Sequence, residues 1–334
     1  MNRIKKVNLG SQGLVVPAIG LGCMGMTEVM GMSMYGQANE AEAIETIHRS
    51  IELGGNFLDT ADMYGPEKNE QLIAKAIAGK RNDCIIATKF GYEIDNNGNY
   101  TNKINGSKSY VKKAAERSLK NLQTDYIDLY YLHRLDKNTP VEETVEAMAE
   151  LVKEGKVRYI GLSEVGSETI RKAHKIHPLT AVQTEYSLFE RQVDELKITD
   201  TLRELGIGFV AYSPLGRGFL SGEFQHPDDL PKDDWRRSLP RFQGEQFYKN
   251  MELLNEIKKM ANEKNITTSQ LAIAWVIAKG HLPIPGTKRP KYVEQNIQAT
   301  NVELSREELS RLESIIPLGT NTGDRYTDMN GVNL

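Results

Sequence analysis

Residues 126–163, YIDLYYLHRLDKNTPVEETVEAMAELVKEGKVRYIGLS, carry the pattern on which the fold turns. The stretch opens at Tyr126 with an apolar run of strand length, apolar on both faces. A helix is predicted over 140–152, with Pro140 in its first turn and Gly155 just past its end, the usual asymmetry of helix punctuation. A second apolar run, from Val157 to Ser163, follows. Strands apolar on both faces are covered on both, and two of them joined by a helix read as a parallel βαβ unit.

The same alternation runs outward in both directions. Further strands are predicted at AIGLG (from Ala18), NFLDTA (Asn56), CIIATKF (Cys84), AVQTEYS (Ala181), GFVAYSPL (Gly208) and LPIPGT (Leu282). Helical periodicity predicts helices over 40–53, 67–77, 109–122, 167–177 and 193–205 between them. Two helices in succession, 245–264 and 268–279, precede the last strand, and 289–299 and 306–316 follow it. Two architectures compete for such a chain, a doubly wound sheet and a closed barrel. A count of eight strands favours the (β/α)8 TIM barrel, an α/β fold. So does the lack of a G-x-G-x-x-G turn behind an early strand: GLGCMG comes nearest, and no helical stretch opens behind it. No linker-like tract divides residues 1–334, so a single domain is expected. KKVNLGSQGLVV alternates around a Gly-Ser-Gln-Gly turn and is predicted to form a β-hairpin that caps the barrel bottom. Residues 317–334 are polar and irregular, as expected of a surface tail or lid.

Composition narrows the possible functions. Hydrophobic residues make up 39% and charged residues 26%, and the formal net charge is −3. That balance gives no electrostatic drive toward nucleic acid or anionic lipid. Cys23 and Cys84 are the only cysteines, which excludes a disulfide framework and a cysteine-based zinc site, and no metal is expected. No run of about 18 apolar residues offers a membrane span. The first ten residues hold no apolar signal stretch, so a reducing cytoplasm is the expected location.

In a parallel barrel the chemistry sits at the C-terminal ends of the strands. The second strand ends in Asp59, with Tyr64 in the loop behind it; Lys89 ends the third and His133 the fourth. Taken singly, an Asp at a strand end is often a cap, a Tyr in a loop is packing, and a His after a strand is a hydrogen-bonded structural residue. Lys89 is odder, because a buried ammonium is costly without a partner. Together on adjacent strand ends they suit carbonyl reduction. Hydride arriving at a carbonyl carbon leaves an alkoxide that needs a proton. Tyr64 is expected to supply it, with Lys89 bringing the phenol's pKa down and Asp59 aiming the lysine. His133 is expected to orient the substrate oxygen.

With these residues in place, the chain resembles the aldo-keto reductase superfamily, in its bacterial and plant branch with GLGCMGM near the N-terminus. LGCMGM, NFLDTADMYG, IATKFG, YIDLYYLHR, GKVRYIGLSE, VQTEYSLF, AYSPLGRGFLSG and IPGTKRPKYVEQN match in order over nearly the whole chain. The resemblance implies a catalytic tetrad of Asp59, Tyr64, Lys89 and His133. It also implies NADPH as cofactor and an aldehyde or ketone as the small-molecule substrate; the oligomeric state, monomer or homo-oligomer, is left open, with a monomer as the default.

None of the four can donate hydride, so a nicotinamide cofactor is needed. IPGTKRP offers a turn, two cations and a helix start, a physically sound phosphate site. The resemblance implies that Gly286, Thr287, Lys288 and Arg289 grip the 2′-phosphate, with Tyr292 beside it and Gln295 and Asn296 meeting the adenine. It places Ser163 and Gln183 on the nicotinamide carboxamide and Tyr212 stacked on the nicotinamide ring. Ser213, Pro214, Leu215, Gly216 and Arg217 form the pyrophosphate belt, with Gly218 allowing close approach. Gly22, Cys23 and Met24 lie beneath the ribose, which Asp59 also touches. Glu164 stands where many relatives carry Asn; a carboxylate accepts from the carboxamide NH2 but cannot donate to its oxygen. Five methionines, Met24, Met26, Met30, Met32 and Met34, crowd the loop after the first strand and are expected to wall the substrate pocket.

Two other readings compete. Related barrels serve as potassium-channel regulatory subunits that use NADPH as a redox-sensing ligand, and the different motif at LGCMGM argues against that role. An unrelated barrel isomerase or lyase would need no basic loop after the eighth strand.

Overall fold

The computed structural model describes residues 4–333. Eight parallel strands follow one another around one sheet: β1 (Leu21–Gly22), β2 (Phe57–Asp59), β3 (Ile85–Phe90), β4 (Ile127–Leu132), β5 (Val157–Ser163), β6 (Ala181–Glu185), β7 (Gly208–Tyr212) and β8 (Leu282–Pro283). The sheet closes through a parallel bridge between Gly22 and Gly286. This seam explains why the regular part of β8 is shorter than LPIPGT predicts. Pro283 and Pro285 have no N–H to give to a ladder. Their carbonyls instead accept from Gly20 N at 3.0 Å and Gly22 N at 3.3 Å, while Ile284 N donates to Ala211 O at 3.0 Å. A Cβ at Gly22 would stand 2.8 Å from the Ile284 carbonyl, so the seam admits only glycine there.

Helices α1 (Glu40–Glu52), α2 (Lys68–Ala76), α3 (Lys108–Leu122), α4 (Val141–Lys153), α5 (Ser167–Ile176) and α6 (Ile198–Leu205) each follow one strand. Helices α7 (Gly244–Glu263) and α8 (Thr268–Ala278) stand between β7 and β8, and α9 (Pro290–Gln298) and α10 (Arg306–Ile315) come after β8. The helix predicted over 193–205 is broken: one turn, Gln192–Glu195, precedes α6, and Lys197 between them has φ 56°. The Asp194 carboxylate fixes the break, accepting from Tyr186 Oη at 2.8 Å and Thr199 Oγ1 at 2.9 Å.

Strand alternation sorts the core into two layers. Phe57, Ala87, Leu129, Ala181 and Val210 pack together inside the barrel with Leu9, Leu14 and Val16. Leu58, Ile86, Tyr130, Ile160, Val182 and Phe209 face outward onto the helices. The three bottom residues come from the predicted hairpin, which pairs Lys6–Asn8 with Val15–Pro17. Two hairpins that periodicity did not reveal lie in the loops after β1 and β3: Glu28–Val29 with Met32–Ser33, and Tyr92–Ile94 with Tyr100–Ile104. The irregular tail is only partly on the surface, because Thr322 and Arg325 are buried. Among the described residues, no helix is long and apolar enough to cross a membrane.

Candidate active site

Alternation also decides which polar residues meet. Counting in twos from the inward Phe57, Ala87 and Leu129 leads to Asp59, Lys89 and His133. Counting from Ala181 and Val210 leads to Gln183, Glu185 and Tyr212. The ladder sets the heights: Asp59 lies level with Gly22 on one side and Ala87 on the other, and Lys89 is level with Tyr131. All four residues predicted for the tetrad therefore converge at one mouth, and all are buried.

Lys89 Nζ donates to Asp59 Oδ1 at 2.5 Å and to Thr60 O at 2.7 Å. Gln183 Nε2 donates to the other carboxylate oxygen, Oδ2, at 2.7 Å. Asp59 is thus clamped from both sides, and Gln183 reaches it directly. The ammonium stands 5.4 Å from the centre of the Tyr64 ring. Tyr64 meets His133 edge-on with ring centres 6.0 Å apart, and Tyr92, from the hairpin after β3, meets His133 likewise at 5.0 Å.

The electrostatics differ from the sequence expectation at one point. Burial pushes the Tyr64 phenol well above its ordinary range, and the Asp59 carboxylate adds to the push. The cation working against them is Arg134. Lys89 was expected to depress this phenol, but burial, and not the ion pair, sets its direction; Lys89, bonded to Asp59 and 5.4 Å from the ring centre, is not among its main influences. Burial lowers Lys89 while Asp59 raises it, with a net fall; Asp59 is raised, burial outweighing Lys89. Burial, with the nearby Arg134 and Lys89 cations, holds His133 well below its usual value, so the imidazole is neutral. Its Nδ1 has no hydrogen-bond partner among the described residues. Burial pushes the Cys23 thiol strongly up, and Sγ points to Leu21 O at 3.6 Å, which fits packing and not nucleophilic chemistry.

The opposite side of the mouth is a charge network that the sequence did not announce. Glu164, at φ 57°, is held by Arg325 from the tail, Nη1 at 2.8 Å and Nη2 at 3.0 Å. It also accepts from Tyr212 Oη at 2.8 Å and from Glu185 N at 3.1 Å. Both oxygens of the residue placed by resemblance on the carboxamide are therefore engaged by the protein itself. Glu185 pairs with Arg217 at 2.6 Å and Arg241 at 3.2 Å, and Arg241 also reaches Glu190 at 3.0 Å. The Arg217 guanidinium, expected in the pyrophosphate belt, turns inward to Glu185 and lies 4.2 Å from the Tyr326 ring centre. Tyr326 Oη is 3.0 Å from Tyr212 Oη. Arg236 pairs with Asp234 at 2.7 Å. Inward parity marks Glu185 in the sequence; nothing local marks Arg325 or Tyr326.

The remaining predicted cofactor residues line one arc. Gly22, Cys23 and Met24 lie at the end of β1, and Cys23 N donates to Asp59 O at 2.9 Å. Ser163 Oγ, at the end of β5, is 3.4 Å from Arg134 Nη1. Ser213, Pro214, Leu215, Gly216 and Gly218 follow β7, with left-handed backbone at Ser213, Gly216, Arg217 and Gly218. Gly286 is exposed, and a Cβ there would meet only Gly22 O at 3.5 Å. Lys288 Nζ donates to Tyr35 O at 3.0 Å and to Gly36 O, binding the loop after β1 to the loop after β8. Arg289 is the N-cap of α9, and no side chain caps that helix. Neither cation pairs with a carboxylate among the described residues, so Thr287, Lys288, Arg289 and the start of α9 fit a phosphate. Tyr292 Oη donates to Glu223 at 2.9 Å, and Gln295 and Asn296 lie on α9, Asn296 buried.

A profile of the aldo/keto reductase family matches residues 18–317. An NADP(+) aldo-keto reductase, yakc, of Schizosaccharomyces pombe is 44% identical over 317 residues, 93% of this chain and 92% of the relative. Among solved structures, a glycerol dehydrogenase from Gluconobacter oxydans superposes with a TM-score of 0.83 at 26% identity, covering 93% of this chain and 94% of that one. An aldo-keto reductase from Klebsiella pneumoniae in complex with NADPH gives 0.73 at 28% identity, with both chains covered fully.

Proposed function

The chain belongs to the aldo/keto reductase family, and from that premise we propose that it reduces aldehydes or ketones to alcohols with NADPH, Tyr64 acting as the general acid. The observation that carries this reading is one buried mouth where the Tyr64 phenol and the His133 imidazole meet edge to face beside a Lys89–Asp59 ion pair. The nicotinamide, when bound, supplies the hydride. Lys288 and Arg289 would hold the cofactor's phosphate, and the NADP(+) relative and the NADPH-bound neighbour support that choice of cofactor.

A phenol held above its ordinary pKa is fully protonated at neutral pH, which is the form a proton donor needs. As the carbonyl carbon is reduced, its oxygen becomes an alkoxide, a stronger base than a phenolate, and Tyr64 Oη–H transfers its proton there. His133, kept neutral, hydrogen-bonds the carbonyl oxygen and orients it without adding a second charge. Asp59, gripped by Lys89 and Gln183, keeps the ammonium under the Tyr64 ring. Burial of all four limits the water around the reacting oxygen.

The test is steady-state NADPH consumption, followed at the nicotinamide absorbance, with a panel of aldehydes and ketones. Turnover of several simple aldehydes is the expected result. Absence of turnover across the panel, with no NADPH-dependent rise in melting temperature, would overturn the proposal.

A further inference from the structure

Arg134 follows His133 directly at the top of β4, and its charge meets no carboxylate among the described residues. Every other cation described around the mouth is either paired with an acid or belongs to the phosphate loop after β8. Arg134 has no ion-pair partner among the described residues. Its Nη1 donates to His133 O at 2.7 Å and points to Ser163 Oγ at 3.4 Å. Those contacts use the two hydrogens of one nitrogen and leave Nε and Nη2 with no partner among the described residues.

The surroundings explain why this matters. The side chain is only half-buried, and Nε and Nη2 are not among the atoms sealed from solvent. The phenols of Tyr64, Tyr92, Tyr212 and Tyr326 lie within reach of its field. They contribute dipoles but no charge, and the acid that also feels it, Glu164, is already gripped by Arg325 and Tyr212. A guanidinium in a partly desolvated mouth, uncompensated and with one planar two-nitrogen edge free, matches the two oxygens of a carboxylate. Arg134 is also placed for substrate: it directly follows His133 at the top of β4 and reaches Ser163 at the top of β5, whereas the phosphate-binding cations sit on the loop after β8.

We propose that Arg134 is a substrate-binding residue and that this enzyme prefers carbonyl compounds bearing a carboxylate, seated on the free Nε–Nη2 edge while the carbonyl oxygen meets Tyr64 and His133. This specificity rests on the reductase reading above.

The experiment compares the three formylbenzoates, which carry a carboxylate at three distances from the aldehyde, with the matching methylbenzaldehydes. The wild-type protein is assayed with NADPH alongside Arg134→Gln and Arg134→Lys. At least one formylbenzoate should exceed its methyl counterpart in kcat/KM by about tenfold or more, through a lower KM, the usual worth of one charge-assisted contact. Arg134→Gln should shrink that ratio by about tenfold, and Arg134→Lys should keep part of it, since charge remains but the fork is lost. A structural role would lower both members of a pair together and leave the ratio alone, and that result overturns the proposal. Should the variants not fold, wild-type protein decides: 4-methylbenzoate should compete with 4-methylbenzaldehyde, and no competition with no carboxylate preference refutes it. Turnover of the neutral aldehydes alone sinks only the specificity, whereas turnover of none sinks the reductase reading as well.

Discussion

On one side of the mouth Lys89 meets Asp59 across 30 residues of chain; on the other, Arg325 meets Glu164 across 161. The first pair joins neighbouring strands, and the tetrad around it comes from three consecutive βα units. The second gathers charges from the ends of β5 and β6, the long connection after β7 and the tail. The two halves also differ in how their charges are satisfied. The tetrad leaves a phenol hydroxyl and an imidazole free toward the mouth. In the far half Glu185 is shared by two guanidiniums, and Glu164 has both oxygens occupied. Groups left with spare bonding capacity are the ones that can act on a ligand, whereas saturated ones hold the fold. Damage to the first half should therefore appear in kcat, and damage to the second in stability.

The largest effect expected is in the first half. Tyr64→Phe removes only the proton donor and should lower kcat for a simple aldehyde by about 10²- to 10⁴-fold, with NADPH affinity and melting temperature close to wild type. Near wild-type turnover would strip Tyr64 of its role. The pH profile adds a sign. Reduction needs the phenol, whose pKa lies well above the ordinary value, so the acid form is present below that pKa and lost only above it. Reduction should show no tyrosine-linked fall through the neutral range, and alcohol oxidation, which needs the phenolate, should accelerate as pH rises.

In the second half, Arg325→Met leaves the buried Glu164 carboxylate without its cation. Loss of one partner from such a pair costs about 3–5 kcal/mol, read from denaturant midpoints. The double variant with Glu164→Gln should recover part of that loss, since no bare charge remains. A cost below about 1 kcal/mol, the surface-pair range, would mean that the tail merely rests on the barrel.

A smaller effect is expected where the first and last loops meet. Lys288→Ala should weaken NADPH binding by about 1–3 kcal/mol, with much less change for NADH, which lacks the 2′-phosphate. Equal losses for both would shift the phosphate to Arg289 or show that Lys288 serves mainly to tie down Tyr35 and Gly36.

The smallest effect divides the methionine loop. Met34 is buried in a cluster with Val29, Ala61, Met63 and Tyr64, while Met30 and Met32 are 45% and 48% exposed around the tip of the small hairpin. Met34→Ala should alter the kcat/KM ranking of bulky against small carbonyls, and Met30→Ala should leave it alone. A shift in ranking from Met30 but not Met34 would reverse which part of the loop faces substrate. The sequence read all five methionines as a wall, because composition could not say which side of a two-residue turn each would take.

The barrel was legible because its signals are local. An apolar run of strand length, a turn and an amphipathic helix recur eight times, and the C-terminal ends of those strands fall on one face whatever the helices contain. The tetrad followed, since inward parity at Asp59, Lys89 and His133 can be counted from the apolar residues two positions before each. The break before α6 and the hairpins after β1 and β3 were not legible from periodicity: the break rests on side-chain bonds from Asp194 to Tyr186 and Thr199, and the hairpin strands, two to five residues long, are too short to show a period.

What the sequence determined by itself was periodicity and position: an eight-stranded barrel, a bottom cap, four reactive groups on three neighbouring strand ends and the loop behind one of them, and a basic turn before α9. What only the tertiary structure decided was the sharing of charge. Lys89 is held by Asp59, burial leaves the Tyr64 phenol high, Glu164 belongs to a tail arginine, Arg217 turns inward, and Arg134 is left over. Backbone pattern repeats every two or 3.6 residues and can be read along the chain. An ion pair depends on distance and dielectric, and both are fixed only when residues far apart in the chain are brought together and water is removed between them.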